Sequence, residues 1–226
     1  MRRFLFVLMA ALVVASSAMA TTTCPTGGYN LYSPDGNPSI TCATNNLIFS
    51  DFSFTSTAIN NILPTPAGLG VTVLDVSGNE GFAFNPGFIE GPGQAQDITV
   101  DFQVTAAAGT MISDLFIFFN GSGNNGGSAN YSETFCTLSF TTGCDVFSVP
   151  NAGQISTQIA IAPTTTLFIT KDFGANGGLL GNAGVSKVVN QFSNATTVTP
   201  EPSSLLLLGT GLLGLCGAIR RRTFGA

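Results

Sequence analysis

The residues best placed to do chemistry are few. In Asp97-Ile98-Thr99-Val100-Asp101 an extended chain puts two carboxylates on one face. A carboxylate pair suffices for glycoside hydrolysis, and the same pattern also makes the wet side of an ordinary sheet. Ser186 and Lys187 are adjacent, but neighbours in a strand point to opposite faces, which separates hydroxyl from amine. Asp75-Val76-Ser77-Gly78-Asn79-Glu80-Gly81 opens like a calcium loop. Its sixth position is Glu80 instead of Gly and its twelfth is Pro86 instead of Glu, so a solvated turn is expected. The chain has no His and no C-x2-C pair. That removes Ser-His and Cys-His nucleophiles and His-ligated zinc or haem. No metal, no cofactor and no enzymatic activity are expected. Sugar recognition has no legible platform either: Trp is absent, the only tyrosines are Tyr29, Tyr32 and Tyr131, and most of the 19 Phe are expected in a core. Thr164-Thr165-Thr166 is consecutive and makes no regular T-x-T array of the kind ice binding wants.

The elements that must carry these residues read as strands. From Asp97 to Val104, Ile98, Val100, Phe102 and Val104 face one way and the polar residues the other. Gln154–Ala162 repeats the alternation, with Ile155, Ile159 and Ile161 inward. Leu115–Phe119 is apolar throughout and predicts a central strand buried on both faces. Further strands are expected at 47–54, 71–76, 132–140, 145–149, 167–173 and 185–192. Turn residues separate them, notably Ser33-Pro34-Asp35-Gly36-Asn37, Gly91-Pro92-Gly93 and the Gly/Asn-rich run from Asn120 to Asn130. Many short strands with such breaks predict a mainly β protein: an antiparallel, jelly-roll-like β-sandwich over residues 21–197, filled by the sixteen Phe that fall there.

Charge is sparse and segregated. Only 8% of the 226 residues are charged, against roughly 25% in ordinary soluble proteins. All five Arg lie near a terminus: Arg2, Arg3, Arg220, Arg221 and Arg222. Residues 21–197 hold eleven acids against Lys171 and Lys187, a net of −9. Such a surface repels phosphate backbones, which excludes nucleic acid as a partner.

The two ends read as addresses. Arg2-Arg3, the apolar run Phe4–Ala15 and the small-x-small Ala18-Met19-Ala20 predict a signal peptide over 1–20, cut after Ala20 by signal peptidase. The segment 198–226 has three ordered parts: Pro200-Glu201-Pro202, an apolar Leu/Gly-rich span over 203–219, and Arg220-Arg221-Arg222. As a helix, 205–219 covers roughly 22 Å, short of a ~30 Å hydrocarbon core. One marginal transmembrane helix is therefore expected, with the arginines as the stop-transfer signal on the inside. The prolines hold the preceding chain extended and open to an enzyme.

This tail resembles the PEP-CTERM sorting signal of Gram-negative bacteria. Some catalogues label the same tail an ice-binding protein C-terminal domain, a name that says nothing about ice. The resemblance implies recognition at Pro200-Glu201-Pro202 by an exosortase, a membrane-embedded cysteine transpeptidase whose genes accompany exopolysaccharide production. It implies export through the inner membrane, transient anchoring, then a place on the cell surface or outside it. Exopolysaccharide becomes a candidate partner.

Export makes the remaining cysteines a disulfide problem. Apart from Cys216 in the apolar span, Cys24, Cys42, Cys136 and Cys144 form an even set. Three connectivities are open, and proximity favours Cys24–Cys42 and Cys136–Cys144. The expected function is a structural or adhesive surface or biofilm-matrix protein. The alternative is a polysaccharide-binding or polysaccharide-active sandwich.

Overall fold

The computed structural model describes residues 22–33, 40–76, 78–149 and 153–196. The expected signal peptide with Ala18 and Ala20, the motif Pro200-Glu201-Pro202, the span 203–219 and Arg220–Arg222 lie outside the described residues.

Fourteen strands form two packed sheets among the described residues. They are β1 Thr22–Thr23, β2 Gly27–Gly28, β3 Cys42–Ala43, β4 Leu47–Ile59, β5 Gly70–Val76, β6 Asn79–Asn85, β7 Phe88–Glu90, β8 Ala95–Ala106, β9 Thr110–Asn124, β10 Ser128–Ser139, β11 Thr142–Val149, β12 Gln154–Thr164, β13 Thr166–Asn176 and β14 Asn182–Thr196. Sheet A has the order β1-β3-β4-β8-β13-β10-β11. Sheet B has the order β12-β9-β14-β6-β5-β2, with β7 beside β14. Pairing is antiparallel except between β1 and β3. Between successive strands the chain stays in one sheet only at β3–β4, β5–β6, β6–β7 and β10–β11 and crosses to the other sheet at every other step, a jelly-roll-like β-sandwich.

Period-2 alternation builds the core. On β8, Ile98, Val100, Phe102 and Val104 are buried, and Asp97, Thr99, Asp101 and Gln103 are only partly so. The interior is aromatic. Phe82 packs edge-on against Phe49 and Phe102, with ring centroids 4.5 and 5.7 Å apart. Such contacts add about 1 kcal/mol each beyond the area they bury.

Four local expectations change. Leu115, Ile117 and Phe119 are buried, but Phe116 and Phe118 are half-exposed. A two-layer sandwich has no third layer to cover the outer side of β9, so the strand is buried on one face only. The Gly/Asn run is not a single loop: β9 continues to Asn124, β10 begins at Ser128, and only 125–127 turn. Pairing of Asn124 with Asn182 overrides the local preference. Glycine here permits close approach, because a Cβ on Gly127 would stand 2.2 Å from the Asn182 carbonyl oxygen. Asp75–Gly81 is not a solvated turn: Asp75 and Val76 end β5, and Asn79, Glu80 and Gly81 open β6 and pair back onto it. Glu80 is fully buried and accepts from Thr44 and from the backbone and side chain of Asn46. Finally, a bulge between Val185 and Lys187 leaves Ser186 and Lys187 both exposed, breaking their expected alternation.

Cys24 is bonded to Cys42 and Cys136 to Cys144. The first ties the N-terminal segment to β3. The second joins directly opposed residues of the β10–β11 hairpin.

Candidate functional site

Three groupings of polar residues are built by the sandwich, and they differ in what can reach them.

The first is the carboxylate face of sheet A. Asp97 and Asp101 do share one face of β8. Asp101 is fixed: its two oxygens accept from Ser53 Oγ and Thr170 Oγ1, each at 2.6 Å. Asp97 is different. Burial, then repulsion from Asp172, pushes its carboxyl up to about 6, and a bond from Asn130 partly offsets this. Burial also raises Asp172. The space beside Asp97 exists because Gly174 has no side chain; a Cβ there would lie 2.4 Å from Asp97 Oδ2. The arrangement can hold a proton near neutral pH. Asp172 was not singled out in the sequence. Only the antiparallel register, which sets it opposite Thr99, brings it close to Asp97.

The second grouping lies in the core. Lys171 Nζ stands 2.6 Å from Glu133 Oε2 and donates to Tyr131 Oη at 2.7 Å. Tyr131 donates to the same carboxylate, and Asn190 Nδ2 donates to Glu133 Oε1 at 3.0 Å. All four side chains are sealed from solvent. Burial lowers the Lys171 ammonium, opposed by the charge and hydrogen bond of Glu133. Burial also raises Tyr131. A group that no substrate reaches does no catalysis. This quartet ties β10 and β13 of sheet A to β14 of sheet B. Sequence reasoning missed it, although a lysine amid Leu167-Phe168-Ile169 and Phe173 was a visible signal.

The third is the outer face of sheet B. Asn120, Ser122 and Asn124 on β9 lie beside Asn182, Gly184 and Ser186 on β14. They line a trough of about 390 Å³, with Ile89 of β7 exposed on its rim. Its polar groups are held in place. Asn120 Nδ2 donates to Ser186 Oγ at 2.9 Å, and Asn124 Oδ1 accepts from the Asn182 backbone at 3.1 Å. Lys187, opposite Asn120, is exposed. Ser186 Oγ is thus engaged with Asn120, not with the Lys187 amine. An apolar cleft of about 410 Å³ also opens between the edge strands β11 and β12, lined by Phe135, Phe147, Ile159 and Leu167. Among the described residues, no group of three or more His, Cys, Asp or Glu is arranged to hold a metal.

Residues 198–222 match the model of the PEP-CTERM protein-sorting motif. The tail is therefore a sorting signal, directing the chain through export and a membrane-anchored stage to the surface of a Gram-negative cell. The match covers the tail alone. A comparison with curated proteins finds no match. Among solved structures, the chain is similar to TmCBM61, solved in complex with beta-1,4-galactotriose. The two are 12% identical, over 75% of this chain and 99% of that one, with a TM-score of 0.33. It is also similar to the enzymatically active domain of tailspike protein 4 of bacteriophage CBA120, at 12% identity over 63% of this chain and 19% of that one, with a TM-score of 0.31. Likeness at these scores carries no argument about the chemistry of this chain.

Proposed function

We propose that the protein is a non-enzymatic structural or adhesive component of the cell surface or extracellular matrix, delivered and then cut near Pro200-Glu201-Pro202 by an exosortase-type transpeptidase. The observation that carries this reading is the path of β14. It starts at Asn182, opposite Asn124, and ends at Thr196, opposite Thr110. Its fifteen residues are joined by fourteen steps of roughly 3.3 Å, a span of about 46 Å. The sorting tail therefore joins one end of the sandwich, and the loops 91–94, 125–127 and 177–181 cluster at the other. Those loops are knit together: Gly93 N donates to Gly178 O at 2.6 Å, and Gly177 N to Gln94 O at 2.9 Å. Ile62, Leu179 and Leu180 are more than 80% exposed there. A chain held by its tail presents this end outward. The ionisable groups support a non-catalytic role, because Lys171 and Glu133 are sealed and Asp101 is fully engaged.

Mass spectrometry of the protein from its native host tests delivery, with a mature form ending near Pro200–Pro202 expected. A substrate panel tests the absence of catalysis. Robust turnover abolished by Asp97→Asn would replace this reading with that of a polysaccharide-active enzyme, whose acid would be the Asp97 carboxyl. A second reading, polysaccharide binding, is favoured by the two half-exposed rings of β9.

A further inference from the structure

The trough on sheet B is one end of a longer strip. Outward-facing residues of β9 run Phe116, Phe118, Asn120, Ser122, Asn124 without a break in alternation. Eight residue steps at roughly 3.3 Å make this about 26 Å long. Phe116 lies between Gln158 of β12 and Gln191 of β14, and Phe118 between Ser156 and Val189. Both rings are half-exposed and stand outside the buried core cluster. On this outer face the two rings are only partly covered by their neighbours, so together they leave an adjacent pair of aromatic surfaces open to solvent. Beyond them, amides and hydroxyls already fixed by one another line the trough, whose floor at Gly184 has no side chain. Lys187 sits between the rings and the trough, opposite Asn120. Among the described residues it is the only exposed cation, since Lys171 is sealed. Asp97, Asp101 and Asp172 are on the other sheet; on this sheet Glu80 and Glu90 are fully buried, Asp75 lies on β5, and Asp114 precedes Phe116 on β9.

We propose that this strip binds an extended polysaccharide. The two rings pack against the C–H faces of successive pyranoses. The amides and hydroxyls of Asn120, Ser122, Asn124 and Ser186 exchange hydrogen bonds with sugar hydroxyls. Lys187 donates to a hydroxyl or to a carboxylate substituent. Nucleobases, which also stack on aromatic rings, bring a phosphate chain that a domain of net charge −9 repels. The inference rests on the matrix reading above, because it names what the displayed domain holds.

The full-length protein in detergent is run through native gels containing hydroxyethyl cellulose, galactomannan, alginate or dextran sulfate. Saturable retardation is expected with a neutral polysaccharide or with alginate. A fall in affinity of tenfold or more is expected for F116A/F118A and, separately, for Ser122→Arg, which fills the trough from an exposed position and keeps the core intact. Lys187→Ala separates the two sources: loss on alginate alone means the amine reads a carboxylate. Absence of retardation by both the neutral polysaccharides and alginate overturns the proposal. So does binding indifferent to both the ring and trough variants, or binding to dextran sulfate alone. Mass spectrometry of the mature surface protein is independent of these gels. Correct sorting without binding refutes this inference and leaves the delivery reading standing.

Discussion

Asp97 sets a pH dependence that the neighbouring Asp172, whose carboxyl burial also raises, shares in direction. Its folded carboxyl is raised from 3.8 to about 6 by burial and by Asp172. A raised carboxyl favours the folded state fully below its unfolded value, and that advantage is lost as pH rises through about 6. Stability should therefore fall between about pH 4 and pH 6 and level off above. Asp97→Asn should flatten this slope and raise stability at pH 7.5 by about 1 kcal/mol, the shift being discounted because the group is partly solvated. Urea denaturation at pH 4, 5, 6 and 7.5 measures both. The buried quartet behaves oppositely, since its charges have no water to fall back on. Lys171→Met removes the partner of a sealed carboxylate and should cost about 3–5 kcal/mol. The double change Lys171→Met/Glu133→Leu should cost clearly less than the two single changes added together. A double-mutant cycle by chemical denaturation decides it; additive losses would show that the pair is not coupled.

Elements depart from local propensity wherever a neighbour supplies hydrogen bonds. Gly121, Gly123 and Asn124 favour turns, yet they lie in β9 because β14 pairs with them to its first residue. The Phe82-Ala83-Phe84 strand was the largest omission of the sequence reading. Its alternation is short and its start, Asn79-Glu80-Gly81, looks like a turn. In the fold it is β6, wedged between β5 and β14, with Phe82 and Phe84 central to the aromatic core. The disulfides act at this scale. Cys24–Cys42 spans 18 residues, and in the chain-entropy model its loss, as Cys24→Ser/Cys42→Ser, costs about 3 kcal/mol. Cys136–Cys144 spans 8 and should cost about 2.5 kcal/mol by the same relation. Its hairpin already has the ladder from Tyr131 to Cys136. Thermal melts of the two double variants, with peptide mapping to confirm the intact pair, test the order.

For the whole molecule, delivery and display are separable properties. The sorting motif matches 198–222 alone, and on the reading proposed above both the recognition residues and the stop-transfer charges fall within that tail. Replacing Arg220, Arg221 and Arg222 by Gln should weaken retention at the inner membrane, because no cluster then holds the short span in place. Glu201→Ala should leave insertion intact and block processing. Fractionation with mass spectrometry of the C-terminus reads both. Persistence of the tail through Ala226 on the mature surface form of an exosortase-positive host would show that it is only an anchor.

The sequence by itself determined the sandwich, the inward faces of β8 and β12, the sorting tail and the segregation of charge. These are properties of neighbours in the chain: a period of two, a run of apolar residues, an ordered triplet of motifs. The cysteine pairs were favoured on the same ground, since closeness in sequence and closeness in space coincide in a hairpin. The tertiary structure alone decided which groups meet across strands. Lys171 finds Glu133 over a separation of 38 residues, and Asn190 joins them from the other sheet. Asp97 meets Asp172, and Phe116 and Phe118 are left outside because only two layers form. Those outcomes depend on register and on sheet order, which no local pattern encodes: a shift of one residue would exchange every inward side chain for an outward one.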